Sequence, residues 1–140
     1  MNQLKITYSA GGVVANGKGG VVLIYEDGNF WGLPKGRIDK DESALAAAIR
    51  EIKEEAGIDE LQLLAPLGTY ERHPYINNVE DKNELKVIQM FLFKSEQTEM
   101  HPKETNSEPA WLPIEEAVQK LTHPADRGFF VSVEDRIKSV

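Results

Sequence analysis

The chain has 140 residues, with 16 Lys and Arg against 23 Asp and Glu, a formal charge of −7, and no cysteine. That length makes one domain, 1–140, with a core of its own, and the missing cysteine excludes disulfides, thiolate metal sites and a sulfur nucleophile. Eight of the acids fall between Asp39 and Glu60 against three bases, so the acidity is local. A basic stripe for duplex nucleic acid is absent, as are an apolar run of about 20 residues for a membrane span and an apolar leader, so a cytoplasmic location is expected.

Ile6 to Ala15 reads as a strand carrying Gly11 and Gly12, and glycine inside a strand marks a bulge or the close approach of a ligand or another backbone. Asn16 to Gly20 is a turn, and Val21 to Tyr25 a second, apolar strand, so the pair is expected as a hairpin at the edge of a core sheet. Glu26 to Asn29 turns the chain into Trp31-Gly32-Leu33-Pro34-Lys35-Gly36. Pro34 holds Leu33 extended, and Trp31 and Leu33 are expected in the core. Lys35 and Arg37 flank Gly36, two cations placed just before an acidic helix, where they suit a polyphosphate.

Leu45, Ala48, Ile49, Ile52 and Ala56 fall at i, i+3, i+4, i+7 and i+11, one apolar stripe on a helix running from Glu42 or Ser43 to Ala56. Asp39 or Asp41 is expected to cap its start, and Gly57 to supply a left-handed C′ residue with Ile58 folding back. Glu51, Glu54 and Glu55 lie three and four apart and so share a flank, where like charges repel by about 0.2–0.5 kcal/mol per pair. Clustered carboxylate oxygens on a rigid face are what Mg²⁺, or Mn²⁺, requires.

Further on, Leu61 to Tyr70 reads as a strand broken at Pro66, Glu71 to Leu85 as a polar, irregular connection, and Lys86 to Phe93 as a buried strand. Gln97 to Ser107 is a polar loop and Pro109 to Leu112 a short strand. A helix runs from Ile114 to Leu121, and a last one starts at Pro124 with Phe129, Phe130, Val133 and Ile137 inward. His73 and His123 have no ligand spacing. Strands alternating with two or three helices imply an α/β sandwich.

The run from Gly36 through Glu42, Arg50-Glu51-Ile52 and Glu54-Glu55 to Gly57-Ile58, residues 36–58, resembles the Nudix box. The resemblance implies an α/β/α sandwich in which a central mixed sheet carries the box helix, with the Ser9–Val14 strand beneath the substrate. It implies a Mg²⁺-dependent pyrophosphohydrolase, with Glu51, Glu54 and Glu55 as metal ligands, Glu51 a candidate general base and the Lys35 carbonyl a further ligand. Arg50 would hold the carboxylates in place, Glu42 would sit outside the ligand set, and a loop glutamate, Glu104 or Glu108, would join as ligand or base.

The lead-in Trp31-x-x-Pro34-Lys35-Gly36 is similar to that of Nudix enzymes acting on dinucleoside and diphosphoinositol polyphosphates. Pro74 and Tyr75 follow Ile58 by 16 and 17 residues; a proline near there accompanies ADP-ribose hydrolysis in the family, and a tyrosine accompanies dinucleoside polyphosphate hydrolysis. The tyrosine is favoured here, because Lys35 stands where ADP-ribose enzymes have alanine. Tyr75 would stack on a base and Lys86 reach a phosphate. The expected substrate is thus a small-molecule nucleotide such as Ap4A, handled by a monomer or homodimer. The other readings are a pyrophosphatase for (d)NTPs or oxidised nucleotides, an ADP-ribose pyrophosphatase, and a nucleotide-binding module without turnover.

Overall fold

A computed structural model describes residues 3–140. Its elements are β1 (Lys5–Ala15), β2 (Gly20–Glu26), β3 (Phe30–Gly32), β4 (Lys35–Arg37), α1 (Ala44–Ala56), β5 (Gln62–Arg72), β6 (Tyr75–Ile76), β7 (Val79–Glu80), β8 (Glu84–Lys94), β9 (Ser107–Pro113), α2 (Ile114–Lys120), α3 (Pro124–Ser132) and α4 (Glu134–Lys138). Seven of these strands form one mixed sheet whose main path runs β3-β2-β1-β8-β5, with β4 on β1 and β9 on β2. β1 is central and parallel to β8 from Lys5↔Glu84 to Ala15↔Lys94.

The expected hairpin closes only at its turn, and it lies inside the sheet and not at its edge. β1 and β2 are in register only at Ala15↔Val21. β2 instead pairs with β9 along its whole length, and β4 takes the edge of β1 at Ser9, Ala10 and Gly11. Gly11 permits this: a Cβ there would lie 2.2 Å from the Pro34 carbonyl oxygen. The glycine therefore marks a backbone approach.

The period-2 alternation of buried strands fills both faces of the sheet. On one face Ala10, Val14, Phe91 and Phe93 pack with Ala47, Ala48, Ile52 and Ala56 of α1. On the other, Val13, Met90 and Leu92 pack with Phe129, Phe130, Val133 and Ile137. The result is the expected α/β/α sandwich, although the final helix is divided into α3 and α4 at Val133. Leu33 is fully buried, whereas Trp31 is half-buried, its ring 4.8 Å from that of Tyr25.

α1 begins at Ala44, one or two residues late. Its cap is Ser43, whose Oγ accepts from the Ala46 N–H at 3.1 Å, not Asp39 or Asp41. Asp41 sits in the preceding turn with φ 64°. Ile49 is 41% exposed, and Ala47 takes the place expected for it on the buried face.

β5 continues through Pro66 with irregularities on either side, and reaches Arg72. It is the sheet's edge, where a missing N–H is tolerated. The connection expected to be irregular contains the hairpin β6–β7, whose turn residues Asn77 and Asn78 have φ of 51° and 66°. Positive φ at both positions is the signature of a two-residue primed turn, which asparagine accepts.

Candidate active site

Ala47, Glu51 and Glu55 are four residues apart and form a row on α1 beside the buried row Ala48–Ile52–Ala56. Glu51 and Glu55 are therefore carried inward, 8% and 7% exposed. Glu54 is on the Arg50 side of the helix, so the three glutamates expected on one flank divide two and one. The cradle for Glu51 is Gly36 of β4, where a Cβ would lie 2.3 Å from the Glu51 carboxylate carbon. Glu55 accepts the Lys35 backbone N–H at 2.9 Å.

Arg50 ties these groups together. Its Nε and Nη2 donate to the two oxygens of Glu42 at 2.8 and 2.9 Å. Nη1 donates to Glu51 at 2.9 Å and to Glu54 at 3.3 Å, and Nη2 also to the Arg37 carbonyl at 3.0 Å. The bond from Arg50 holds the Glu42 carboxyl down at about 2. Glu42 is thus an anchor for Arg50.

The last carbonyls of a helix need outside donors, and here the loop after β8 supplies them. The Lys103 and Glu104 N–H groups donate to the Glu54 carbonyl at 2.8 and 3.3 Å, and the His101 N–H to the Gly57 carbonyl at 3.4 Å. Gln97 Nε2 reaches that same carbonyl at 2.9 Å. This capping brings Glu104 to the helix: one oxygen each from Glu51, Glu55 and Glu104 lie within 4.8 Å of one another. Glu108, the other loop glutamate expected, lies on β9 opposite Tyr25 and outside this group. Three convergent carboxylate oxygens fit a hard divalent cation.

Burial, then the charge of Glu26, pushes the Glu55 carboxyl up to about 9, and burial also raises Glu51. Between the ordinary carboxylate value and about 9, native Glu55 keeps a proton that the unfolded chain has lost. Metal-free stability must therefore fall as pH rises through that window. Thermal unfolding in EDTA at pH 6 and pH 9 is expected to give the lower Tm at pH 9. Glu55→Gln keeps the Lys35 N–H acceptor and is expected to narrow that difference and melt higher than wild type at pH 9.

The Lys35 ammonium is not offered to solvent. It lies 3.8 Å from Asp126 Oδ2 with its side chain 9% exposed, and donates to the Leu33 carbonyl at 3.4 Å. Burial lowers its pKa, with Arg72 adding to the effect. The expected phosphate contact from this side chain is thereby corrected: the ammonium serves a buried carboxylate, while its backbone serves Glu55. Arg37 stays at the surface end of β4.

Tyr75 and Lys86 do meet, in a cavity of about 340 Å³ whose walls include Glu26, Phe30, Arg72 and Asn78. The β6–β7 hairpin sets Tyr75 edge-on to Phe30, ring centres 5.9 Å apart, and stacked on His123 at 4.6 Å. Asn29 Nδ2 donates to Asn78 Oδ1 at 3.1 Å and ties the hairpin to the β2–β3 turn. His123 is buried; its Nδ1 accepts the Ala125 N–H at 3.0 Å and caps α3, and burial lowers its pKa. Sequence reasoning missed Phe30, Arg72, His123 and Asp126 as members of this region. The one available signal was Asn77-Asn78 between two short β-formers, a hairpin that folds Tyr75 back.

A family model described as the NUDIX domain matches residues 5–132. Nudix hydrolase 12, mitochondrial, of Arabidopsis thaliana is 36% identical over 88 residues, 61% of this chain and 43% of that protein. The 8-oxo-(d)GTP phosphatase of Mycolicibacterium smegmatis is 29% identical over 111 residues, 74% of this chain and 29% of that protein. The chain thus spans less than half the length of these curated relatives. A C. elegans Ap4A hydrolase in a binary complex shares the fold with a TM-score of 0.74 at 20% identity, over 96% of this chain and 99% of that one. With the box residues arranged on α1 and β4 of an α/β/α sandwich, and the family model spanning nearly the whole chain, this protein belongs to the Nudix hydrolase family, whose members act on phosphoric anhydrides.

Proposed function

We propose that this chain is a Mg²⁺- or Mn²⁺-dependent pyrophosphohydrolase acting on a dinucleoside polyphosphate such as Ap4A, cleaved asymmetrically to ATP and AMP. The observation that carries this reading is the link from the Glu51–Glu55–Glu104 oxygens to a pocket holding Tyr75, Phe30 and Lys86: the Lys35 N–H donates to Glu55, and the Lys35 ammonium meets the Asp126 carboxylate that holds Arg72 of the pocket wall. The cations Arg37 and Lys86 suit a phosphate chain longer than a diphosphate.

Glu51, Glu55 and Glu104 would hold the metal, with Glu54 and the Lys35 carbonyl as further donors. The ion supplies charge neutralisation and a more acidic water. Arg50 fixes the carboxylates, Arg37 and Lys86 bind the phosphates, and Tyr75 stacks on a base. Glu51 takes the proton of the attacking water as its oxygen adds to phosphorus. The P–O bond to the bridging oxygen breaks and the electron pair leaves with the departing nucleotide. An intact set of box glutamates favours turnover over mere binding.

A second reading, hydrolysis of a (d)NTP or an oxidised nucleotide, is favoured by the hairpin tied across the pocket through Asn29 and Asn78, because the cavity then suits one base. Comparing kcat/KM for Ap4A, ADP-ribose, dGTP and 8-oxo-dGTP at one Mg²⁺ concentration separates these readings. Ap4A is expected to lead; a leading nucleoside triphosphate supports the second reading, and a leading ADP-ribose makes Pro74 the better cue. Tyr75→Ala is expected to raise KM for the preferred substrate about tenfold, in keeping with about 1–3 kcal/mol for stacking, and to leave kcat within about threefold.

A further inference from the structure

Arg72 stands apart from every role given so far. It ends β5 directly opposite Lys86 on β8, and both side chains line the Tyr75 cavity. Like charges directly opposite on antiparallel strands are destabilising, so this pairing costs the apo fold stability. The guanidinium is held from below. Nη1 donates to Asp126 Oδ2 at 2.8 Å, with side chains 10% and 0% exposed, and the group sits 5.5 Å from the centre of the Phe30 ring. Asp126 also accepts the Tyr70 hydroxyl at 2.6 Å and faces Lys35.

Two buried cations thus share one carboxylate. Arg72 Nε is buried with no hydrogen-bond partner, the single such side-chain atom among the described residues. A buried donor without a partner normally has a reason. Glu26 and Asp27 are the carboxylates on the cavity wall, and the charge of Glu26 acts on both Lys35 and Lys86. Burial and then the charge of Arg72 lower the Lys86 pKa, against the opposing charges of Glu84 and Glu26, which agrees with two cations crowded on one cavity wall.

Resting on the hydrolase reading above, we propose that Arg72, paired across the strands with Lys86 and oriented by Asp126, is a specificity-determining residue that binds a phosphate group of the substrate beyond the scissile anhydride. Arg72 touches substrate; Asp126 acts through Arg72 and is a positioning residue. The pair makes the site select for chain length, since a substrate lacking the extra phosphate leaves both cations unmatched.

The test uses inorganic tripolyphosphate as the probe, titrated by calorimetry in EDTA at low salt. Arg72→Gln/Asp126→Asn removes both members of the Arg72–Asp126 pair but also takes the carboxylate from the Lys35 ammonium, so Arg72→Gln alone is measured beside it, and Arg72→Lys keeps charge and approximate size. The double variant is expected to raise Kd about 10- to 100-fold, the value of one or two charge-assisted bonds, with Arg72→Lys intermediate. With Ap4A, the double variant is expected to raise KM by a similar factor and to leave kcat within about threefold. Tripolyphosphate binding that depends on Arg72 without Ap4A turnover keeps the subsite and overturns only the substrate. A folded double variant with unchanged Kd and KM, or adenosine displacing tripolyphosphate, overturns the subsite.

Discussion

Glu51→Gln and Glu55→Gln are each expected to lower kcat by about a thousandfold or more, because the metal's charge stabilisation is worth several kcal/mol and about 1.4 kcal/mol is tenfold in rate. Gln has nearly the same shape, and both positions sit in preformed cradles: Gly36 beside Glu51 and the Lys35 N–H on Glu55. The fold should therefore survive, and the loss should appear as kcat at saturating Mg²⁺ with unchanged circular dichroism. Glu54→Gln should cost less, since Glu54 lies outside the group of three. Turnover within tenfold of wild type in Glu51→Gln or Glu55→Gln, at saturating metal, would remove those residues from the chemistry.

Gly57→Ala is expected to carry the largest stability cost of any single methyl addition. Gly57 has φ 68° and closes α1 with its N–H on the Lys53 carbonyl. An added Cβ would lie 2.1 Å from the His101 backbone nitrogen, so steric conflict joins the backbone strain. Together these should cost about 2–4 kcal/mol, or roughly 10 °C in Tm. The conflict falls on the loop that delivers Glu104, so activity should drop at temperatures where the variant remains folded. Differential scanning calorimetry and a Mg²⁺-dependent rate at 20 °C check the two halves separately. A Tm within 2 °C of wild type would show that the loop can shift freely, and that the capping bonds do not set the position of Glu104.

The box was legible because its chemistry is local. Helix periodicity, Gly57 at the C′ position and the row of glutamates all follow from residues within one helix and its turn. The finer placement needed the sheet. Nothing in Glu51, Glu54 and Glu55 alone says which two face inward; that depends on Ala47 lying against β1 and on Gly36 leaving room. The choice of Glu104 over Glu108 as the neighbour of Glu51 and Glu55 follows from the backbone bonds of Lys103 and Glu104 to the end of α1, a contact between segments about 50 residues apart.

Lys35 was misjudged for a similar reason. Its neighbours in sequence are glycine and proline, which leave it looking solvent-facing, yet Asp126 of α3 approaches from the far end of the chain. Arg72 escaped notice because β5 runs two residues past Tyr70, where sequence reasoning ended the strand and began an irregular connection. The central position of β1 was illegible too, since a parallel partner 79 residues away, Glu84 for Lys5, leaves no local trace.

On the reading proposed above, Glu51, Glu55 and Glu104 form the metal centre of a pyrophosphohydrolase. Anomalous diffraction from a crystal soaked in Mn²⁺, collected at the manganese edge, tests it most directly. A peak bounded by carboxylate oxygens of Glu51, Glu55 and Glu104 is expected, lost in a crystal of Glu55→Gln. No peak between these three side chains in an enzyme that hydrolyses its substrate in the same Mn²⁺ buffer would contradict it.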